Sequence, residues 1–228
     1  MEYYELVVSF VLDQELPFLK SYEFMSNIIS RSFLYDERLK KMHKENAYKF
    51  YTFCGLYPIE NDKIYKKEKT YKVNIRSLSQ EFILVLPELL KKSNNSIKIL
   101  STEVKQYSYK PISRLITVSP AVATIAKNRY WTKEDGLLFL RERIYVNAIK
   151  KYKSYFKEME EPDDNFIEFI QQTNFKPIKV AYKNTSLLGN KMIIGVKSDE
   201  ISQKLAFTIL GAGLLEKNSI GMGYCIAK

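Results

Sequence analysis

The chain has 228 residues, 46% of them hydrophobic and 27% charged, which is too many for one minimal domain and suits two of about 110 residues. Lysine plus arginine number 36 against 26 acids, so the net charge of +10 implies an anionic partner such as nucleic acid or an acidic membrane surface. Seventeen Tyr, 13 Phe and one Trp exclude a disordered chain, and no apolar run approaches the roughly 20 residues of a membrane span.

In chain order, Leu6, Val7, Val8, Phe10 and Val11 predict a buried strand over 3–12. The spacing of Leu19, Tyr22, Met25, Ile28, Ile29 and Phe33 predicts an amphipathic helix. A polar stretch, 35–46, follows and holds His43. Residues 49–59 then read as a strand closed by Pro58, residues 63–75 as a hairpin arm, and residues 81–90 as a helix whose end at Lys91 and Lys92 suits its dipole. Residues 96–118 alternate as a strand. The order strand, helix, strand, strand, helix, strand is that of a ferredoxin-like domain.

A boundary is expected near 120–128, giving domains of 1–125 and 126–228. Thr132 and Asp135 form a capping signal, and Leu137, Leu140, Ile144, Ala148, Tyr152 and Tyr155 mark one face of a long helix. After the breaker EEPDD, strands are expected at 177–182 and 191–196 around a turn at 188–190, and a helix capped by Ser198 runs to Leu210. The second half thus reads as a degenerate copy of the first. The fold class is α+β, with two tandem ferredoxin-like (RRM-like) domains.

Counting narrows the chemistry. Two widely separated cysteines, Cys54 and Cys225, form no disulfide framework and no CxxC pair, which points to a reduced compartment. The N-terminal segment lacks the basic stretch of a secretory signal, so a soluble, cytoplasmic protein is expected. His43 is the one histidine, which excludes zinc sites built on several imidazoles; no GxSxG is present to form a serine triad. No cofactor and no metal are expected.

Four of the eight glycines, Gly211, Gly213, Gly221 and Gly223, fall in GAGLLEKNSIGMG. Gly211 is read as a left-handed helix cap, Gly213 as a turn, and Gly221 and Gly223 as a strand start approached by another backbone. Lys217, Asn218 and Ser219 add a cation, an amide and a hydroxyl. The segment is no P-loop, because GK[ST] is missing, and no dinucleotide fingerprint, because a helix precedes it. A structural turn and a phosphate-binding loop with open amides both fit.

The C-terminal glycine pairs, together with SPAVATIAKNRYWTKEDGLLFLRERI at 119–144, resemble the CRISPR-associated endoribonucleases that process precursor guide RNA, the "Cas six" family of repeat-associated RNA-binding proteins. The resemblance covers the full length. It implies a metal-independent cut in CRISPR repeat RNA that leaves a 5′-hydroxyl and a 2′,3′-cyclic phosphate. It also implies repeat RNA as partner, effector-complex subunits as further partners, and a monomer or homodimer. His43 falls where that family places a general acid or base, and Lys49 six residues later resembles the family's His and Lys pair. The tyrosine that precedes the histidine in some members is matched by Ser26; Tyr35 is the nearby tyrosine and the third catalytic candidate.

Imidazole can carry a proton either way near neutrality, and Lys49 or Lys44 can stabilise the charge of a phosphorane without a metal. RNA contacts are expected from Gly211, Gly213, Lys217, Ser219, Gly221 and Gly223, from Lys44, and from the lysine and tyrosine mixture of 63–72 that includes Lys66 and Lys67. Arg129 beside Trp131 is a further candidate, although Trp131 reads better as core. A noncatalytic RNA-binding subunit shares every one of these features except a working His43. A metal-dependent nuclease and a membrane-surface protein fit less well, because no carboxylate cluster has ligand spacing and no single helix carries the basic residues.

Overall fold

A computed structural model describes residues 1–93, 96–126, 129–160, 162 and 164–228. Lys127 and Asn128 of the expected boundary, and Glu161 and Asp163 of the breaker, lie outside the described residues. Strand β1 (Glu2–Leu12) buries Leu6, Val8 and Phe10 on one face, as their alternation requires. A short strand β2 (Leu16–Pro17) and a 3-10 turn lead into helix α1 (Ser21–Ser32), whose Met25, Ile28 and Ile29 face the same core. Full burial of each such side chain is worth about 1.5–3 kcal/mol.

Beyond a second 3-10 turn comes helix α2 (Glu37–Lys44), where the sequence reads only as a polar stretch. Asp36 caps it by accepting from the backbone N–H groups of Arg38 (3.0 Å) and Leu39 (3.1 Å). Helix α2 buries no residue fully; Leu39 and Met42 pack at the core's edge, so its apolar signal is faint. Strand β3 is only Tyr51–Phe53, shorter than the strand expected over 49–59. Strands β4 (Ile64–Tyr65) and β5 (Thr70–Ser77), helix α3 (Gln80–Ser93) and strand β6 (Ile97–Ser108) complete the first unit.

The strand expected over 96–118 breaks in two at Lys110 and Pro111. Strand β7 (Arg114–Thr117) leaves the first sheet and pairs with strands of the second. The change of sheet therefore falls between Ser108 and Arg114, ahead of the boundary expected at 125 and 126. A small ribbon of β8 (Thr124–Ala126) and β9 (Arg129–Tyr130) follows. The Thr132 and Asp135 box is present, with the Thr132 N–H donating to Asp135 Oδ2 at 2.9 Å, and it leads into helix α4 (Leu137–Phe156). Trp131 is buried beneath that entry and donates its indole N–H to the Gly136 carbonyl at 3.0 Å.

Strand β10 (Ile167–Gln172) is not among the expected elements; its Phe169 is exposed, its end is polar, and a bulge interrupts it, so its periodicity is weak. Strands β11 (Ile178–Tyr182) and β12 (Thr185–Gly189) form a hairpin that turns at 183–184 rather than at 188–190. Strand β13 (Met192–Val196), helix α5 (Glu200–Ala212) and strand β14 (Cys225–Ala227) end the chain. Asp199, not Ser198, caps α5 by accepting from the Ser202 N–H at 2.9 Å.

The sheets run β3-β5-β1-β6 and β10-β13-β7-β14. In each, the first strand lies between the third and fourth and all pairings are antiparallel, which is the ferredoxin-like order. The β11–β12 hairpin is an insertion between the second and third strands of the second unit. A buried network joins the units. Arg76 Nε donates to Glu5 Oε2 (2.5 Å), Arg76 Nη1 to the Cys225 carbonyl (2.7 Å), and the Tyr224 hydroxyl to Glu5 Oε2 (2.7 Å). Glu5 also accepts from the Asn74 amide, so the buried carboxylate is satisfied on both oxygens.

Candidate active site

The glycine segment after α5 folds back on itself and onto the first unit. Gly213, Gly221 and Gly223 have φ values of +85°, +88° and +69°, a region that costs other residues strain. A Cβ on Gly221 would lie 2.6 Å from the rings of Phe53 and Tyr22, so its bare face lets the loop press against the first unit. Gly211 departs from expectation: it lies inside α5, where a Cβ would meet Leu78 and Tyr3, and Gly213 is the capping residue.

Four amides of the loop turn inward. Those of Gly213, Leu214, Gly221 and Gly223 donate to the carbonyls of Ile209 (2.8 Å), Gly223 (2.8 Å), Asn218 (2.9 Å) and Pro120 (2.9 Å). Closing the loop consumes these four. Beneath the loop, Lys151 is 2% exposed and its ammonium donates to the carbonyls of Gly213 (2.6 Å) and Leu215 (2.7 Å) and to Asn218 Oδ1 (2.7 Å). Burial pushes the Lys151 pKa down to about 7. This strut carried no sequence signal, since Lys151 sits in the run Lys150, Lys151, Lys153.

A cleft of about 350 Å³ separates the loop from the segment after α2. Its walls include Glu45, Tyr48 and Lys49 on one side and Lys217, Asn218 and Ser219 on the other, with Lys151 between them. The Tyr51 hydroxyl donates to the Ser219 carbonyl at 3.3 Å and so joins the two walls. Lys217 is exposed at the rim.

His43 lies on the last turn of α2, exposed on one side and edge-on to the Phe33 ring, centroid to centroid 5.8 Å. Partial burial holds its pKa below the ordinary value, and the charges of Lys49 and Lys183 lower it further. An imidazole in this setting is neutral at pH 7 and able to accept a proton. Lys49 donates its ammonium to the carbonyls of Met42 and of Glu45, the latter at 2.7 Å. It thereby closes the C-terminus of the histidine helix.

Lys183 escaped the sequence reading. It occupies the turn of the β11–β12 hairpin at φ +52°, and its backbone N–H donates to Glu23 Oε1 on α1 at 2.9 Å. The inserted hairpin of the second unit is thus pinned to the first, and the histidine meets a cation from each. A lysine in a polar loop 140 positions away carries no local signal.

The other candidates are dispersed. Tyr35 is 57% exposed on the turn before α2, and its hydroxyl makes no hydrogen bond among the described residues. Lys44 is exposed at the end of α2. Lys66 pairs with Asp62 (2.7 Å) and Glu15 (3.5 Å), Lys67 lies 3.7 Å from Glu68, and Arg129 pairs with Asp135 (2.7 Å). None of these three lines the cleft.

Two ferredoxin-like units that enclose a cleft between a glycine turn and a histidine helix define a tandem ferredoxin-like α+β protein. The family described as "CRISPR associated protein Cas6, C-terminal" matches residues 101–226. The chain is 31% identical over 213 residues to the "CRISPR-associated endoribonuclease Cas6 2" of Methanocaldococcus jannaschii, an alignment that covers 85% of this chain and 86% of that one. The chain belongs to the Cas6 family.

Solved structures share the fold. One described as "CRISPR associated protein Cas6" superposes with a TM-score of 0.75 at 20% identity, covering 99% of both chains. "An RAMP protein binding different RNA substrates" gives 0.74 at 22% identity, again over 99% of both. A Cas6-related protein from Pyrococcus furiosus gives 0.70 at 20% identity, over 99% of this chain and 98% of that one. No helix of the described residues is long and apolar enough to cross a membrane.

Proposed function

We propose that this protein is an endoribonuclease that binds CRISPR repeat RNA and cuts precursor guide RNA by internal attack of a ribose 2′-hydroxyl. The observation that supports the reading is that the end of the histidine helix, through Glu45 and Lys49, walls the cleft that the glycine loop closes on the other side, while His43 itself, outside that lining, feels the charges of Lys49 and Lys183. The curated relative named an endoribonuclease supports the reaction class.

In this mechanism His43 accepts the proton of the 2′-hydroxyl as that oxygen attacks the adjacent phosphorus. The bond from phosphorus to the 5′-oxygen breaks, and that oxygen takes up a proton, for which the Tyr35 hydroxyl is the candidate donor. The products carry a 2′,3′-cyclic phosphate and a 5′-hydroxyl. The pentavalent intermediate gathers negative charge in the field of Lys49 and Lys183, so the step runs without a metal. Lys49 also fixes the end of α2 and with it the imidazole. Lys217 and Lys44, at the loop and at the end of α2, hold backbone phosphates on either side.

The test is the purified protein with labelled CRISPR repeat RNA in EDTA, beside the same RNA carrying 2′-deoxy at the nucleotide before the cut. Cutting of the first and none of the second is expected. Equal cutting of both would overturn the 2′-hydroxyl nucleophile, and cutting of neither would leave a binding subunit.

A further inference from the structure

The cleft between the glycine loop and the segment after α2 holds a titratable group that the cleavage step does not use. Lys151 of α4 lines it from below. The partners of its Nζ are three oxygens of one segment, the carbonyls of Gly213 (2.6 Å) and Leu215 (2.7 Å) and the side-chain oxygen of Asn218 (2.7 Å). All three are neutral. Glu216, the one acid of the loop, pairs instead with Arg143 at 2.8 Å.

An ammonium has three N–H donors and meets all three oxygens, whereas a neutral amine has two and leaves one buried oxygen without a donor. The protonation of Lys151 therefore sets how firmly the loop is tied. Lys217 and Ser219, which the loop presents to the cleft, depend on that tie, because Leu215 and Lys217 adopt φ values of +58° and +61° that the surroundings must hold in place.

Burial disfavours the charge and brings the Lys151 pKa down to about 7, so ammonium and amine are both populated near neutrality in the free protein. Glu216 and Cys225 act in the opposite direction, and Cys225, itself pushed up to about 12, remains a thiol. Across the cleft stand Glu45, Tyr48, Lys49 and Tyr51, and Lys217 lies on the loop. Burial raises the two phenols and lowers Lys49. A phosphate in the cleft adds negative charge to this set. At an effective dielectric of about 20, a unit charge within about 8 Å shifts a proton equilibrium by more than ten-fold.

We propose that Lys151 is a positioning residue for RNA: a phosphate entering the cleft binds together with a proton on the Lys151 amine, which restores the third hydrogen bond and tightens the glycine loop on the strand. This step rests on the RNA-processing reading above and makes its binding proton-coupled. Binding then weakens on the alkaline side through Lys151, while cleavage weakens on the acid side through His43. The two limbs belong to different residues on different units.

The test is calorimetric titration of full-length His43→Ala protein with CRISPR repeat RNA at about pH 8, in two buffers of different ionisation enthalpy. That background removes both the imidazole proton and the cleavage heat. An uptake of about 0.5–1 proton per RNA is expected, with a dissociation constant about five-fold weaker at about pH 8.5 than at about pH 7.5. Adding Lys151→Arg, whose guanidinium stays charged, is expected to abolish the uptake, as is Lys151→Met. A second measurement needs no change at Lys151. With ¹³C at lysine Cε, the Lys151 resonance is expected to titrate near pH 7 in the free protein and above about pH 8 with RNA bound. RNA that binds without proton uptake, uptake that persists in Lys151→Arg, or a Lys151 midpoint that RNA does not move overturns the inference; repeat cutting by the parent then leaves the RNA-processing reading standing. Uptake that depends on Lys151, with no cutting by the parent, keeps the inference and removes the cleavage reading. RNA that does not bind overturns both.

Discussion

The Lys49 ammonium lies 2.7 Å from the carbonyl oxygen of Glu45, the residue that ends the histidine helix. A cation at a helix C-terminus satisfies carbonyls that have no partner within the helix. Lys49 thus binds the helix end as a structural cap while its charge reaches the imidazole. Lys49→Ala is expected to lower the cleavage rate at saturating RNA by at least ten-fold with a modest loss of stability, and Lys49→Arg to recover part of that rate. Single-turnover cleavage checks this, and an unchanged rate in Lys49→Ala would contradict it.

The pH dependence of cleavage follows from the base form of His43. Partial burial and then the neighbouring lysines hold its pKa below about 6.5, so the acid limb of the activity falls as pH drops through that lowered value. Lys183→Ala removes one of the two cations and is expected to move the acid limb upward. The same sign governs stability: the fold favours neutral His43, and the contribution present above about pH 6.5 is lost as pH falls through the folded value. With one histidine in the chain, the imidazole proton resonance titrates without ambiguity. A midpoint above 6.5 would contradict this environment.

Lys151 holds the glycine loop from below through three oxygens. Lys151→Met leaves two carbonyls and the Asn218 amide oxygen short of a donor, which is expected to cost roughly 2–4 kcal/mol in urea unfolding. Because the folded pKa lies near 7 and well below that of free lysine, the contribution of this group to stability grows as pH rises from about 7 toward 10.5 and is lost as pH falls through 7. The variant is expected to lack that dependence. A loss under about 0.5 kcal/mol would show that the loop stands without its strut.

Two glycines separate strain from contact. Gly136 has φ +83° with open space around it, whereas Gly221 has φ +88° and rings of Phe53 and Tyr22 within 2.6 Å of an added Cβ. Gly136→Ala is expected to cost about 1–3 kcal/mol, the penalty of its φ +83°, ψ +146° backbone alone. Gly221→Ala is expected to cost clearly more and to weaken RNA binding by displacing the loop. Equal losses in thermal unfolding would contradict the close packing of loop and first unit.

The legible parts of this molecule are those where one residue pattern decides the outcome. Leu6, Val8 and Phe10 fix β1, and Thr132 with Asp135 fixes the entry to the long helix, because alternation and capping are local. Helix α2 was obscured because it buries so little, although Asp36 marks its start. Strand β10 was missed because Phe169 faces outward and a bulge breaks its alternation. The division of 96–118 turns on which sheet β7 joins, a pairing with β13 and β14 that lies far along the chain. At the candidate site, His43 and Lys49 are singled out by the resemblance to the family's His and Lys pair, not by the residues alone. Lys151 and Lys183 are not singled out, because one acts through carbonyl oxygens and the other through an inserted hairpin.

The most direct test of the central claim is a comparison of His43→Ala with the parent protein, measuring RNA affinity and single-turnover cleavage on the same labelled repeat. His43 is exposed and makes a ring contact with Phe33, so its removal leaves the core intact. The account predicts an affinity within about two-fold of the parent and a cleavage rate lower by 10²- to 10⁴-fold, the range of a lost proton carrier. Cleavage at the parent rate by His43→Ala would contradict it.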